Sequence, residues 1–321
     1  MTSSVRRSPM PATKAHRFLP RSCGATLLAL GCWLASASMT AATAQTQGQA
    51  PVPTPGQPQT AIVVEFESLD RRHGTAVLLK AFWLPAAGPA GPRPAVALFH
   101  GCGGPYGPGP GRLSQRLRDY AALLNEQGMH ALVVDSLTPR GERELCTQRI
   151  GTRAVTQAHR RLDALAALTW LARRDDVDDR RIGLLGWSHG GSTVLAATNL
   201  RQRDVAAHAV RPAFAIAFYP GCDAELARGY EPSGRLLMLI GEADDWTPAA
   251  PCRSLAQMAT EPRPVIETYP GAFHGFDSTA PVRLRRDVPN GVNPGQGVHV
   301  GGDAQALRLS RERLLRFLAE H

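Results

Sequence analysis

The sequence predicts an α/β fold in a single domain, with a mostly parallel central sheet and helices on both of its faces. Two patterns carry that expectation. Short, continuously apolar runs at 95–99, 214–218 and 236–240 suit strands buried on both faces. Between such runs lie longer segments with apolar residues at helical spacing, and strands alternating with helices build parallel sheets. The chain has 321 residues and no visible internal repeat, enough for one sizeable core.

Taken in order, Ala61 to Glu67 and Thr75 to Trp83 read as strands joined by the polar turn Asp70 to Gly74, a hairpin at one sheet edge. A Pro/Gly-rich loop, Pro85 to Pro94, leads into the buried strand Ala95 to Phe99. Arg112 to Gln127 places Leu113, Leu117, Tyr120, Leu123 and Leu124 on one helical face and stops at Gly128. Strand His130 to Val134 follows. The next helix, Ala154 to Arg173, carries Ala158, Leu162, Leu165, Leu168 and Leu171 along one side. Ile182 to Leu185 is another strand, and Ser192 to Thr198 shows a small-residue helical pattern. Phe214 to Phe218 and Leu236 to Ile240 are strands, Ala250 to Ala259 a helix, and Val265 to Tyr269 the last strand. Gly275 to Gly302 has few apolar residues and reads as a loop or lid. Ala304 to Ala319 closes the chain as an amphipathic helix.

Residues 1–44 read as an export signal. Arg6, Arg7, Lys14, Arg17 and Arg21 precede the apolar stretch Ala25 to Ala35, and Ala42-Thr43-Ala44 offers a small-residue cleavage site. Simple cleavage is favoured over a twin-arginine signal at Arg6-Arg7 or lipidation at Cys32, because the neighbouring residues match both patterns poorly. The apolar stretch is short for a transmembrane helix, so no integral span is expected after signal removal. Residues 45–60, mostly Gln, Pro, Thr and Gly, read as a flexible linker. Residues 61–321 are then the folded domain, in the periplasm or secreted. The formal charge is +9, but residues 1–44 hold five basic residues and no acid, so the remainder carries +4. Its arginines are interspersed with acids, which argues against a nucleic-acid partner.

Four cysteines lie beyond the signal: Cys102, Cys146, Cys222 and Cys252. An even number in an exported protein suggests disulfides. Cys102 and Cys146 each follow strands expected to be neighbours, and so do Cys222 and Cys252, so these two pairs are the expected bonds. No ligand-like spacing of cysteines or histidines points to a metal.

Most of the functional information sits in Leu184-Leu185-Gly186-Trp187-Ser188-His189-Gly190-Gly191. A Gly-x-Ser-x-Gly between strand and helix sets a serine on a sharp turn that lifts its hydroxyl above the sheet. A neutral hydroxyl is a poor nucleophile and needs a base, with a third group to orient that base. Two later strand ends supply them. The segment 269–276 brings His274, the expected base. The segment 239–248 brings Asp244, the expected acid, beside Asp245, the alternative, which otherwise caps a turn or the following helix. All three positions follow strand C-termini, where open α/β sheets bind ligands. The backbone amides of His189 and Cys102 are the expected oxyanion donors, the second from His100-Gly101-Cys102-Gly103-Gly104. Arg140 and Arg143 are candidates to pair with a substrate carboxylate, internal salt bridges being the alternative. Trp187, Trp246 and Phe273 are candidates to line a substrate pocket, or to belong to the core.

These segments, with Gly241-Glu242-Ala243-Asp244 and Tyr269-Pro270-Gly271-Ala272-Phe273-His274-Gly275-Phe276, resemble the dienelactone hydrolase family of the α/β-hydrolase superfamily over roughly residues 61–320. The resemblance implies the α/β-hydrolase fold and hydrolysis of an ester or lactone without metal or organic cofactor. The family's namesakes carry a cysteine where this chain has Ser188, which separates the reaction type from the dienelactone substrate. The expectation is therefore an exported serine hydrolase that acts on a small-molecule carboxylic ester or lactone through an acyl-enzyme. A prolyl-oligopeptidase-type serine peptidase and a non-catalytic binding protein of the cell envelope are the alternatives.

Overall fold

The sheet opens with an antiparallel hairpin, β1 (Ile62–Arg72) and β2 (Thr75–Leu84), which reverses through His73 and Gly74 at positive φ. Both strands are longer than their apolar pattern suggests. Beyond Phe66, the inward positions of β1 are Ser68 and Asp70, buried through hydrogen bonds and so invisible to a hydrophobicity reading. The computed structural model describes residues 61–89, 91–109 and 111–320. The signal and linker expectations for residues 1–60 lie outside the described residues.

Six further strands complete the sheet: β3 (Arg93–Phe99), β4 (His130–Asp135), β5 (Val177–Trp187), β6 (Phe214–Phe218), β7 (Arg235–Gly241) and β8 (Val265–Tyr269). Their order is β1-β2-β4-β3-β5-β6-β7-β8. β1 and β4 each pair antiparallel with β2, and every other pairing is parallel. This is the mostly parallel α/β sheet the sequence predicts.

Side chains alternate across a strand, so each central strand feeds two cores. Ala95, Ala97 and Phe99 of β3 face one core, with Leu132 and Val134 of β4 and Leu236, Met238 and Ile240 of β7. Val96, Leu98, Val133, Leu237 and Leu239 face the other. Helices α2 (Gln157–Ala172), α3 (His189–Thr198) and α6 (Ala249–Met258) cover the first face. Helices α1 (Gln115–Glu126) and α7 (Ala304–Ala319) cover the second. Continuous apolar runs were therefore the correct sign of strands buried twice.

Several starts and stops shift for local reasons. α2 begins after Thr156, whose side chain joins that of His159 in a reciprocal cap. α7 begins after Asp303, whose carboxylate accepts from the Ala306 amide. β5 starts before its apolar core, with Asp179 to Arg181 exposed and so outside the apolar run. Two short helices, α4 (Arg203–Ala207) and α5 (Asp223–Arg228), are too short, at five and six residues, to show a helical period. The stretch 275–302 is mostly loop, but it holds a small antiparallel ladder of β9 (Arg283–Arg285) with β10 (Val298–Val300). Both expected disulfides are present: Cys102–Cys146, and Cys222–Cys252, which joins the start of α5 to α6. Among the described residues no helix is long and apolar enough to cross a membrane.

Candidate active site

β5 runs straight into α3, and Ser188 sits at the corner with φ 53° and ψ −118°. A serine in that region is strained, and the packing around it must hold it there. Two glycines make the corner possible. A Cβ on Gly190 would lie 1.9 Å from the Phe99 carbonyl oxygen, and one on Gly186 would lie 2.2 Å from the Gly190 carbonyl oxygen. No larger residue fits either position, so the turn brings Ser188 against the end of β3.

His274 lies in the turn after β8, 3% exposed. Its Nε2 is 2.9 Å from Ser188 Oγ and its Nδ1 is 2.8 Å from Asp244 Oδ2. The consistent proton assignment has Nδ1–H donating to the carboxylate and Nε2 accepting from the serine hydroxyl. Asp244, after β7, is itself held: Oδ1 accepts from the amides of Trp246 (2.9 Å) and Thr247 (2.8 Å). Tyr219 and Trp246 confine the imidazole, with ring centroids 4.6 and 4.7 Å away.

Of the adjacent acids, Asp244 is the one that meets His274. Asp245 does not cap a helix. It accepts from both the backbone amide (2.9 Å) and Nδ1 (2.7 Å) of His299 on β10, which ties the 275–302 stretch to the end of β7. Glu242 faces outward, paired with Arg253 and Thr268.

Cys102 and His189 both line a cavity of about 590 Å³ that opens onto Ser188. The loop carrying Cys102 packs closely on the serine turn: a Cβ on Gly101 would sit 3.6 Å from Ser188 Cβ. The loop is fixed by the Cys102–Cys146 bond and by the Leu145 amide, which donates to the Cys102 carbonyl at 2.7 Å. Neither the Cys102 nor the His189 amide has an acceptor among the described residues. Both remain available as donors.

Two expectations need correction. Arg140 does not face the cavity. Its guanidinium is buried between Asp70 (2.8 Å) and Asp163 (2.7 Å), so the internal salt bridge is what the structure contains. Arg143 is exposed and also away from the cavity. Trp187 points into the core below the sheet, where its Nε1 donates to Asp277 Oδ2 at 2.9 Å. Trp246 does line the cavity, whereas Phe273 packs at a tilt against the His299 ring outside it.

Other residues were not singled out by the sequence reading. Asp277, fully buried, accepts from Trp187, from the Tyr219 hydroxyl (2.7 Å) and from Arg116, and so braces the floor beneath His274. Arg160 of α2 lies fully buried behind the serine turn, and burial pulls its pKa down to about 10. Arg153, Asn290 and Val292 reach the cavity from loops. Charged residues on the buried face of α2, Arg160 and Asp163, were the available signal for one of them.

Residues 83–321 match the dienelactone hydrolase family. Compared with curated proteins by sequence, the chain finds no match. Among solved structures, it is similar to a Klebsiella pneumoniae protein assigned as a dienelactone hydrolase, with 16% identity and TM-score 0.56 over 82% of this chain and 100% of that one. It is also similar to a dienelactone hydrolase-like promiscuous phosphotriesterase from metagenomic libraries (18%, 0.56, 81% and 98%). A third is Thermogutta terrifontis esterase 2, phosphorylated by paraoxon (19%, 0.54, 84% and 97%). At these identities the structural likeness is one of fold, the α/β-hydrolase fold. The sequence match goes further: this chain belongs to the dienelactone hydrolase family, and it is a hydrolase of the carboxylic-ester type.

Proposed function

We propose that the protein is an exported serine hydrolase that cleaves a small carboxylic ester or lactone through Ser188, His274 and Asp244. The observation that carries this reading is the unbroken relay from Ser188 Oγ through both imidazole nitrogens to a buried carboxylate. Ser188 Oγ attacks the carbonyl carbon as His274 Nε2 takes its proton. Asp244 keeps the ring in the required tautomer and stabilises the imidazolium that forms. The amides of Cys102 and His189 take up the developing oxyanion charge. The tetrahedral species expels the alcohol, which leaves with the proton from Nε2, and an acyl-Ser188 remains. Water, deprotonated by the same nitrogen, attacks that acyl group; collapse frees the acid and returns the proton to Ser188.

Residues 1–44 are taken as the export signal, 45–60 as the linker and 61–321 as the catalytic domain. Two disulfides support an oxidising destination, periplasmic or secreted. The expected test is steady-state hydrolysis of short nitrophenyl esters. Ser188→Ala and His274→Ala should each lose about 10⁴-fold or more in kcat with folding intact. Near-wild-type turnover in a folded Ser188→Ala protein would refute the assignment. Cleavage of peptides without ester turnover would favour the peptidase reading instead.

A further inference from the structure

The mechanism above uses only the backbone of His189, yet its imidazole is held with equal care. Arg160 donates from one terminal nitrogen to the His100 carbonyl (2.8 Å) and from the other to His189 Nδ1 (2.7 Å). A guanidinium has donors only, so Nδ1 must accept and the ring proton must sit on Nε2. Burial, followed by the charges of Arg160 and Arg153, holds the His189 pKa well below its ordinary value. The ring is therefore neutral. Nε2 has no hydrogen-bond partner among the described residues, nor is it one of the buried polar atoms left without one. The residue lines the cavity beside Ser188.

Most neighbouring polar groups are already engaged. Gln157 donates its amide to the His189 carbonyl, and the Ser192 hydroxyl bonds the Ser188 carbonyl while accepting from the Gly221 amide. Thr247 bonds the Tyr219 carbonyl and Asp244, and Asn290 bridges Gln148 and Ile150. The His189 Nε2–H is thus a free, uncharged donor facing the substrate space. Arg153 adds one cation to the wall and Asp223 one acid, while the Glu225 carboxylate is turned to Asn199 and Gln202, so an anionic substrate gains little net charge there.

We propose that the His189 side chain is a substrate-binding donor, fixed as Nε2–H by Arg160, and that the preferred substrates are uncharged esters or lactones with a second acceptor oxygen near the scissile carbonyl. This inference rests on the hydrolase reading and adds a specificity residue to it. The test compares isosteric pairs: nitrophenyl methoxyacetate with butyrate, nitrophenyl methoxypropionate with pentanoate, and methoxyethyl acetate with butyl acetate. Within each pair only a methylene and an ether oxygen are exchanged. Intrinsic reactivity cancels when the kcat/KM ratio of a pair in wild type is divided by that in a variant.

In His189→Phe the preference for the oxygen-bearing ester should fall about tenfold in at least one pair, on top of any loss shared by both esters. His189→Gln, which keeps an acceptor for Arg160 and an N–H donor, should recover part of it. Ratios unchanged in all three pairs, in a variant that still turns them over, would overturn the proposal. A readout on the wild-type protein does not depend on variant folding. Long-range proton–nitrogen correlation spectra of histidine-labelled protein should show His189 neutral and protonated on Nε2 at about pH 6. An Nδ1–H tautomer or an imidazolium would overturn it equally. Failure of the wild type to hydrolyse any ester would count against the hydrolase reading, a separate result.

Discussion

Arg140 separates two roles that sequence alone leaves open, and the structure gives the size of the effect. Its side chain is 0% exposed, between Asp70 at 8% and Asp163 at 0%. Nη2 reaches both carboxylates, Nη1 bonds Asp163 at 2.9 Å and the Ser136 carbonyl at 2.8 Å, and Ser68 donates to Asp163 at 2.6 Å. This cluster joins β1, α2 and the short 3-10 turn 138–140 after β4. Arg140→Ala leaves two buried carboxylates facing each other without a cation. Breaking a buried ion pair costs roughly 3–5 kcal/mol, and with two acids orphaned the upper end applies. For a domain of this size each kcal/mol moves Tm by roughly 2–4 °C, so a fall of about 10–20 °C is expected by scanning calorimetry. The kcat/KM ratio between neutral and carboxylate-bearing esters should not change. A Tm within about 3 °C of wild type, together with loss of discrimination between those esters, would refute the structural role and restore the substrate role.

Four further outcomes follow from the same contacts. Gly190→Ala should slow modification of Ser188 by a fluorophosphonate about 10²-fold or more, because its Cβ would lie 1.9 Å from the Phe99 carbonyl oxygen and displace the turn; an unchanged rate would contradict the account. Replacing Cys102 and Cys146 by serine removes a crosslink over 44 residues, with a loss of up to about 4 kcal/mol in denaturant unfolding and a lower kcat from a looser oxyanion loop. Asp245→Asn should reduce amide exchange protection at 298–300 while Ser188 modification stays roughly within threefold, since Asp245 serves His299 and not His274. His100 and His189 are held neutral by burial, so their folded pKa values lie below the unfolded value of about 6.5. The unfolded chain binds more protons below that pH, so Tm should fall on acidification from about pH 7 to 5, and a flat profile would argue against buried neutral rings.

Much of this molecule was legible before the fold was known, for physical reasons that differ between its parts. Strands buried on both faces leave an unbroken apolar run, so β3, β6 and β7 were found almost to the residue. The serine turn is legible because it tolerates only glycine at 186 and 190. His274 and Asp244 are legible because they follow strand ends in the chain order of the fold. What escaped depends on polar burial. Ser68 and Asp70 continue the inward face of β1, but hydroxyl and carboxylate carry no hydrophobic signal. Arg160, Asp163 and Asp277 are charged residues whose partners lie far away in sequence, so a local pattern can mark them but not say what they bind. Arg140 stayed open between substrate contact and internal salt bridge for the same reason. A charged residue after a strand end serves substrate or scaffold depending on acids at positions 70 and 163, which no local pattern joins to it.

The most direct measurement is covalent. Wild-type protein treated with a fluorophosphonate and mapped by mass spectrometry should carry one adduct, on the peptide containing Ser188. Labelling should vanish in Ser188→Ala and slow by about 10³-fold or more in His274→Ala. Absence of any adduct, or an adduct on another residue that persists in Ser188→Ala, would contradict an activated hydroxyl at the end of β5.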